Sequence, residues 1–195
     1  MTNIVESAPA TKALFLDRDG VINVDHGYVG TYADFEYKNG IFDVIKQFQL
    51  KGYQPVIVTN QSGIARGFYT ETEFQSLMER VQKDFTAHNI NNIPVYFCPH
   101  HTQGSISRYA ISCECRKPAP GMLLKAAKDL NIDLCNSVLI GDSWRDIQAA
   151  DAAGLKQSIF LSKEVVTPEQ AEGLSEGHKV NIVTSFSKIT ARYFK

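Results

Sequence analysis

The chain has 195 residues, 44% of them hydrophobic, and a formal net charge of −1. A chain of that size buries enough surface to fold as one domain, residues 1–195. Its near-neutral balance gives no reason to expect a nucleic-acid or membrane-surface partner. No stretch approaches the ~20 apolar residues of a membrane span, and residues 1–6 lack the basic and apolar regions of a signal peptide. The expected location is therefore the cytoplasm, and the expected state a monomer.

Ala13, Leu14, Phe15 and Leu16 read as a buried strand that ends in Asp17-Arg18-Asp19-Gly20. A long glycine-punctuated loop follows, over 20–40, of a length that is usually functional inside a compact domain. Ile41, Val44, Ile45 and Phe48 share one face of a helix over 41–51 that Gly52 stops. A second strand over 55–59 ends in Asn60-Gln61-Ser62-Gly63. Thr70 and Glu73 have the spacing of a capping box, which predicts a helix over 71–88. A third strand over 94–98 leads into a loop rich in cysteine and histidine. Pro118 and Pro120 open a helix through 130, and a fourth strand over 137–142 ends in Gly141-Asp142. A helix over 144–153 and a fifth strand over 157–161 come next. Weaker signals follow: a short helix near 168–174, an apolar piece at 180–183 and a last helix from 185. Strands alternating with helices at this spacing predict an α/β fold, a doubly wound, Rossmann-like, mostly parallel sheet flanked by helices.

Three strand ends carry complementary polar groups. Asp17 and Asp19 follow the first, Thr59 ends the second, Asp142 follows the fourth, and Lys117 arrives before a helix start. In open parallel sheets such ends line the ligand crevice. A helix cap explains one oxygen per junction, but not a second carboxylate two residues on. Carboxylates gathered at one edge call for a cation, and hard oxygen donors suit Mg²⁺ working with a phosphate. Lys117 adds a site for phosphoryl oxygens.

The four segments together resemble the haloacid dehalogenase-type phosphatases, over about residues 13–161. The matching residues are Asp-x-Asp-Gly-x-Ile at 17–22, Thr59-Asn60, Lys117 and Gly141-Asp142 with Asp146. The resemblance implies that Asp17 is the nucleophile, Asp19 the acid/base, and Thr59, the Asn60 backbone N–H and Lys117 the phosphoryl-stabilising groups. It also implies Mg²⁺ on Asp17, the Asp19 carbonyl and Asp142, with Asp146 steadying Lys117 or the metal's waters. Residues 17–31, 59–67 and 98–122 are similar to the branch that removes the C7 phosphate of a heptose 1,7-bisphosphate for lipopolysaccharide assembly. The implied partner is a small phosphosugar, with no nucleic acid and no membrane.

Cys98, His100, His101, Cys113 and Cys115 offer a Cys₃His set, which is a structural zinc set. The fourth ligand lies among His100, His101 and Cys135. Cys98 follows a strand and Cys135 precedes one, so in a parallel sheet they stand at opposite ends, roughly 15 Å apart. Cys135 is expected to be a bystander. The spacing of Cys113 and Cys115 mirrors Cys98 and His100, and the resemblance implies His100 as well. A structural Zn²⁺ on Cys98, His100, Cys113 and Cys115 would pin the loop over 98–117.

No stretch is long enough for a separate cap, so loops 20–40, 60–70 and 98–117 must wall the site. By resemblance Asp25, His26, Gly27 and Tyr28 contact the sugar, while Gln61, Ser62, Arg66 and Arg116 suit hydroxyls or a second phosphate. Arg116 can hold that phosphate bidentately. The position after Asp142, often basic in the family, is Ser143 here. Alternative readings are a histidinol-phosphate phosphatase, a polynucleotide-end phosphatase and a non-catalytic phosphosugar-binding module. Against the second, the chain has no basic stripe.

Overall fold

The structure, a computed structural model, describes residues 9–91, 93–162, 173–189 and 193. Six parallel strands form one sheet in the order β3-β2-β1-β4-β5-β6. They are β1 (Ala13–Leu16), β2 (Gln54–Asn60), β3 (Val95–Cys98), β4 (Val138–Gly141), β5 (Gln157–Leu161) and β6 (Lys179–Val183). The helices are α1 (Ile41–Leu50), α2 (Ser62–Arg66), α3 (Glu71–Ala87), α4 (Gly121–Leu130) and α5 (Trp144–Ala152).

Strand periodicity divides the core in two, because alternate side chains point to opposite faces. Leu14 and Leu16 of β1 pack with Ile41, Val44, Ile45 and Phe48 of α1 and with Phe74, Leu77 and Val81 of α3. Ala13 and Phe15 pack on the other face, with Met122, Leu123 and Ala126 of α4 and Ala149 and Ala150 of α5. Both faces of the sheet are thus covered, and every residue of β1, β4 and β5 is buried. Such strands read as continuous apolar runs, which is why they were visible in the sequence.

The chain runs outward from β1 through β2 to β3, then returns to the other side of β1 and runs outward through β4, β5 and β6. The order therefore reverses between β1 and β4. A crevice opens beyond the carboxyl ends of two strands at such a point, and Asp17 and Asp142 stand directly after those two strands.

Local signals hold where they rest on caps and faces. Thr70 Oγ1 accepts from Glu73 N at 3.1 Å while Glu73 Oε2 accepts from Thr70 N at 2.7 Å, closing the expected box at the start of α3. The five-residue α2 falls within the span 60–70 that is expected to be a loop. Val180 to Val183 belongs to a sixth strand. In place of a helix from Ser185, the described residues hold one turn of 3-10 helix, Phe186–Lys188. The expected helix near 168–174 lies outside the described residues, save for 173 and 174. Among the described residues no helix is long and apolar enough to cross a membrane.

The 20–40 loop is tied down. Asn23 bridges to Asp19 and to Tyr37, and the Tyr32 and Tyr37 hydroxyls both donate to Asp84 Oδ2 of α3, at 2.6 and 2.9 Å.

Candidate active site

Lys117 is the charge around which the acids gather. Its Nζ lies 3.0 Å from Asp17 Oδ1 and 2.5 Å from Asp146 Oδ1, and donates to Val58 O at 2.8 Å. Three partners match the three protons of an ammonium group. Asn60 fixes the backbone that delivers Lys117: its Nδ2 donates to Lys117 O, and its Oδ1 accepts from Lys117 N, both at 3.0 Å. Lys117 is 2% exposed. Burial works against its charge, but Asp146 and Asp17 more than offset this and raise its pKa above the usual value.

The carboxylates show the opposite balance. Burial first, then Asp146, pushes Asp17 up to about 8 against the pull of Lys117. Burial and Asp146 raise Asp142 to about 6. Donor oxygens of Asp17, Asp142 and Asp146 all lie within 4.8 Å of one another. This is a set of hard donors carrying more negative charge than Lys117 neutralises, and it fits a divalent cation. Close approach requires glycine at two places. A Cβ on Gly20, whose φ is +80°, would fall 1.6 Å from Asp142 Oδ2, and one on Gly141 would fall 2.3 Å from Asp146 Cβ. Asp146 also caps α5, accepting from Ser143 N at 3.1 Å, so it serves both the helix start and Lys117.

A cavity of about 320 Å³ opens over this cluster. Of the residues singled out in the sequence, it brings together Asp17, Asp19, Asp25, Gly27, Tyr28, Asn60, Ser62, Arg66, Arg116, Lys117, Asp142 and Asp146. Three expected contacts do not line it. His26 faces solvent and sits 3.2 Å from Glu36. Thr59 is 1% exposed, its Oγ1 accepting from Gln61 Nε2 at 2.8 Å. Gln61 is equally buried and spends its amide on Asp19, Thr59 and Tyr69. Tyr69, His101 and Arg145 also line it, and sequence reasoning gave none of them a part in substrate binding. Arg145 had a signal, since it lies in the first turn of the helix that follows Asp142. His101 was weighed only as a metal ligand, yet its Nε2 lies 3.3 Å from Arg66 Nη2.

Arg66, Arg116 and Arg145 share a property. Among the described residues, no carboxylate lies within ion-pair distance of any of them. Arg116 donates to His100 O at 3.2 Å, and burial together with Arg145 and Arg66 lowers its pKa. Three cations at one cavity without an internal counter-charge suit an anionic ligand.

Beside the cavity, donor atoms of Cys98, His100, Cys113 and Cys115 lie within 4.8 Å of one another. Sulfur–sulfur separations are 3.0 to 3.5 Å, and His100 Nδ1 is 3.5 and 3.8 Å from two of the sulfurs. All the cysteines are free thiols, and Cys135 is exposed and outside the group. Burial pushes the Cys98 thiol up. Cys113 is also penalised by burial, but hydrogen bonds from its neighbours bring it down to about 7. Three sulfurs and one imidazole this close together form a four-donor set able to hold zinc. The loop after Cys115 then leads directly to Arg116 and Lys117.

Residues 114–189 match the HAD-hydrolase-like family model. The D-glycero-beta-D-manno-heptose-1,7-bisphosphate 7-phosphatase of Vibrio cholerae is 46% identical over 166 residues, covering 85% of this chain and 89% of the relative. The chain belongs to the heptose bisphosphate phosphatases of the HAD-like family. The Yersinia pestis enzyme of the same name is 42% identical over 192 residues, covering 97% and 100% of the two chains. Among solved structures, the D,D-heptose 1,7-bisphosphate phosphatase of B. bronchiseptica, complexed with magnesium and phosphate, superposes with a TM-score of 0.73. It is 28% identical and covers 89% of this chain and 93% of that one. The present chain is accordingly a phosphoric monoester hydrolase.

Proposed function

We propose that the protein removes the C7 phosphate of D-glycero-β-D-manno-heptose 1,7-bisphosphate, in the cytoplasm, through an aspartyl-phosphate on Asp17. The observation that carries this reading is the composition of one cavity: Asp17, paired with the buried Lys117, shares it with three arginines that have no carboxylate partner among the described residues. A substrate with two phosphates uses both features, one phosphate at the reacting carboxylate and the other on the guanidinium groups.

In this reading Asp17 attacks phosphorus, which splits one displacement into two. Asp19 protonates the departing sugar oxygen and later takes a proton from the attacking water. Lys117 holds Asp17 in place and faces the charge that builds on the phosphoryl oxygens, since such transfers are mainly positioning and electrostatics. Asp146 keeps Lys117 charged and oriented. Thr59 acts from beneath, through Gln61, and Asn60 acts through the backbone of Lys117. Asp17, the Asp19 carbonyl and Asp142 would hold Mg²⁺, which supplies charge neutralisation between carboxylate and phosphate. Cys98, His100, Cys113 and Cys115 would hold a structural Zn²⁺ that keeps Arg116 and Lys117 at the cavity. Asp25, Gly27, Tyr28 and Ser62, which line the same cavity, would meet sugar hydroxyls.

Phosphorus NMR of the reaction with Mg²⁺ tests the reading. Loss of the C7 resonance with the C1 phosphate retained is the expected result. Faster phosphate release from histidinol phosphate than from the bisphosphate would overturn the substrate while leaving the chemistry intact.

A further inference from the structure

Asp19 lies two residues past Asp17, yet its carboxylate stands outside the acidic cluster, in a hydrogen-bond network of its own. Its Oδ1 accepts three donors: Arg18 Nε at 3.1 Å, Arg18 Nη2 at 2.6 Å and Asn23 Nδ2 at 3.0 Å. Its Oδ2 accepts one, Gln61 Nε2 at 3.0 Å. An arginine commonly grips a carboxylate across both oxygens; here the guanidinium uses one and leaves the other.

Each donor is itself fixed. Arg18 is fully buried, donates from Nη2 to Val29 O at 2.7 Å, and lies 5.9 and 5.5 Å from the ring centres of Phe35 and Phe74. Gln61 Oε1 accepts from the Tyr69 hydroxyl at 2.7 Å, which sets the amide so that Nε2 faces Asp19. The Tyr69 ring in turn is wedged between two glycines: a Cβ on Gly30 or on Gly63 would fall 2.4 Å from a ring carbon. An oxygen surrounded by three N–H donors has no room for a proton, because each lone pair is already used. Oδ2 keeps a free lone pair, and the residue borders the cavity.

We propose that Arg18 and Asn23 are positioning residues that anchor Asp19 by Oδ1, and that the Gln61–Tyr69 pair aligns Oδ2, whose remaining lone pair is left to carry the proton in both half-reactions. This rests on the reading of Asp17 and Asp19 given above. In the first half, an Asp17 oxygen bonds to phosphorus, the phosphorus–sugar oxygen bond breaks with its electron pair on oxygen, and the Oδ2 proton moves to that oxygen. In the second, water oxygen bonds to phosphorus and gives a proton to Oδ2. The Asp17–phosphorus bond then breaks, releasing inorganic phosphate.

Tyr69→Phe and Arg18→Lys, assayed on the heptose bisphosphate and on p-nitrophenyl phosphate, test this. The sugar leaving group needs a proton and nitrophenolate does not. On the sugar ester kcat should fall about 10–100-fold in Arg18→Lys and about 3–10-fold in Tyr69→Phe, with KM within about twofold. On the aryl ester both should release nitrophenolate in a burst of one per site, with phosphate trapped on Asp17, because only hydrolysis still needs the base. If Arg18→Lys does not fold, Tyr69→Phe decides alone, since it removes one hydroxyl and keeps the ring between the glycines. Equal losses on both esters without a burst, or a raised KM at unchanged kcat, would overturn the positioning role. A wild-type protein that cleaves neither ester would sink the phosphatase reading, and this proposal with it.

Discussion

The floor and the rim of the cavity are built on opposite plans. At the floor Lys117 and Asp146 are 2% and 1% exposed, and each has partners within the chain. At the rim Arg66, Arg116 and Arg145 have no carboxylate partner among the described residues, and Tyr28, 47% exposed, leans edge-on against an exposed Phe68 at 4.6 Å. The floor is pre-organised for a charge distribution that is the same in every phosphoryl transfer, whereas the rim is left incomplete until a ligand supplies anions and hydroxyls. The proposed function thus assigns chemistry and choice of substrate to different residues.

Changes at the floor should have the largest effects. Asp17→Asn should lower turnover by at least about 10³-fold on every ester, because the covalent route is lost. It should not lower the melting temperature, because it removes a charge that burial makes costly. Residual activity above a few per cent would break the nucleophile assignment. Lys117→Met leaves Asp17 and Asp146 buried without their counter-charge, so a loss of about 3–5 kcal/mol is expected, read by chemical denaturation alongside the loss of activity.

Effects on the loop that joins floor to rim should be intermediate. Stripping the metal from the Cys98, His100, Cys113 and Cys115 set should raise KM several-fold while circular dichroism still reports an intact sheet. Unchanged KM after removal would separate that loop from substrate recognition.

The smallest effect is on stability with pH. Asp17 and Asp142 are raised to about 8 and about 6 in the folded protein, so over that range it holds protons that the unfolded chain has released. Metal-free stability should therefore fall as pH rises through this window. Mg²⁺ competes with those protons, so its stabilising shift in melting temperature should be larger near pH 8 than near pH 6. A shift independent of pH would argue against a cation at these carboxylates.

The floor was legible in the sequence because it sits on strand ends. Buried apolar runs locate β1, β2 and β4, and the residues that follow them meet at the point where strand order reverses. The rim was only partly legible. Arg66 and Ser62 are carried by α2, whose five residues include a glycine and show no helical period. Lys179 and Asn181 interrupt the apolar pattern of β6, which hid an edge strand. Arg18 gave no signal at all: an arginine between two aspartates reads as a solvent-exposed counter-ion, and only tertiary packing against Phe35 and Phe74 shows it buried. Gln61 and Thr59 were in the right place but one layer too deep, bound to Asp19 and to each other instead of facing the cavity.

The division between floor and rim is tested most directly by Arg116→Ala, comparing kcat/KM on the heptose bisphosphate with that on p-nitrophenyl phosphate. Loss of a charged hydrogen bond to the second phosphate should cost about 1.5–3 kcal/mol, or about 10–100-fold, on the bisphosphate, and leave the aryl ester within about twofold of wild type. An equal loss on both esters would show that Arg116 serves the reaction itself, and would contradict the separation of chemistry from substrate choice.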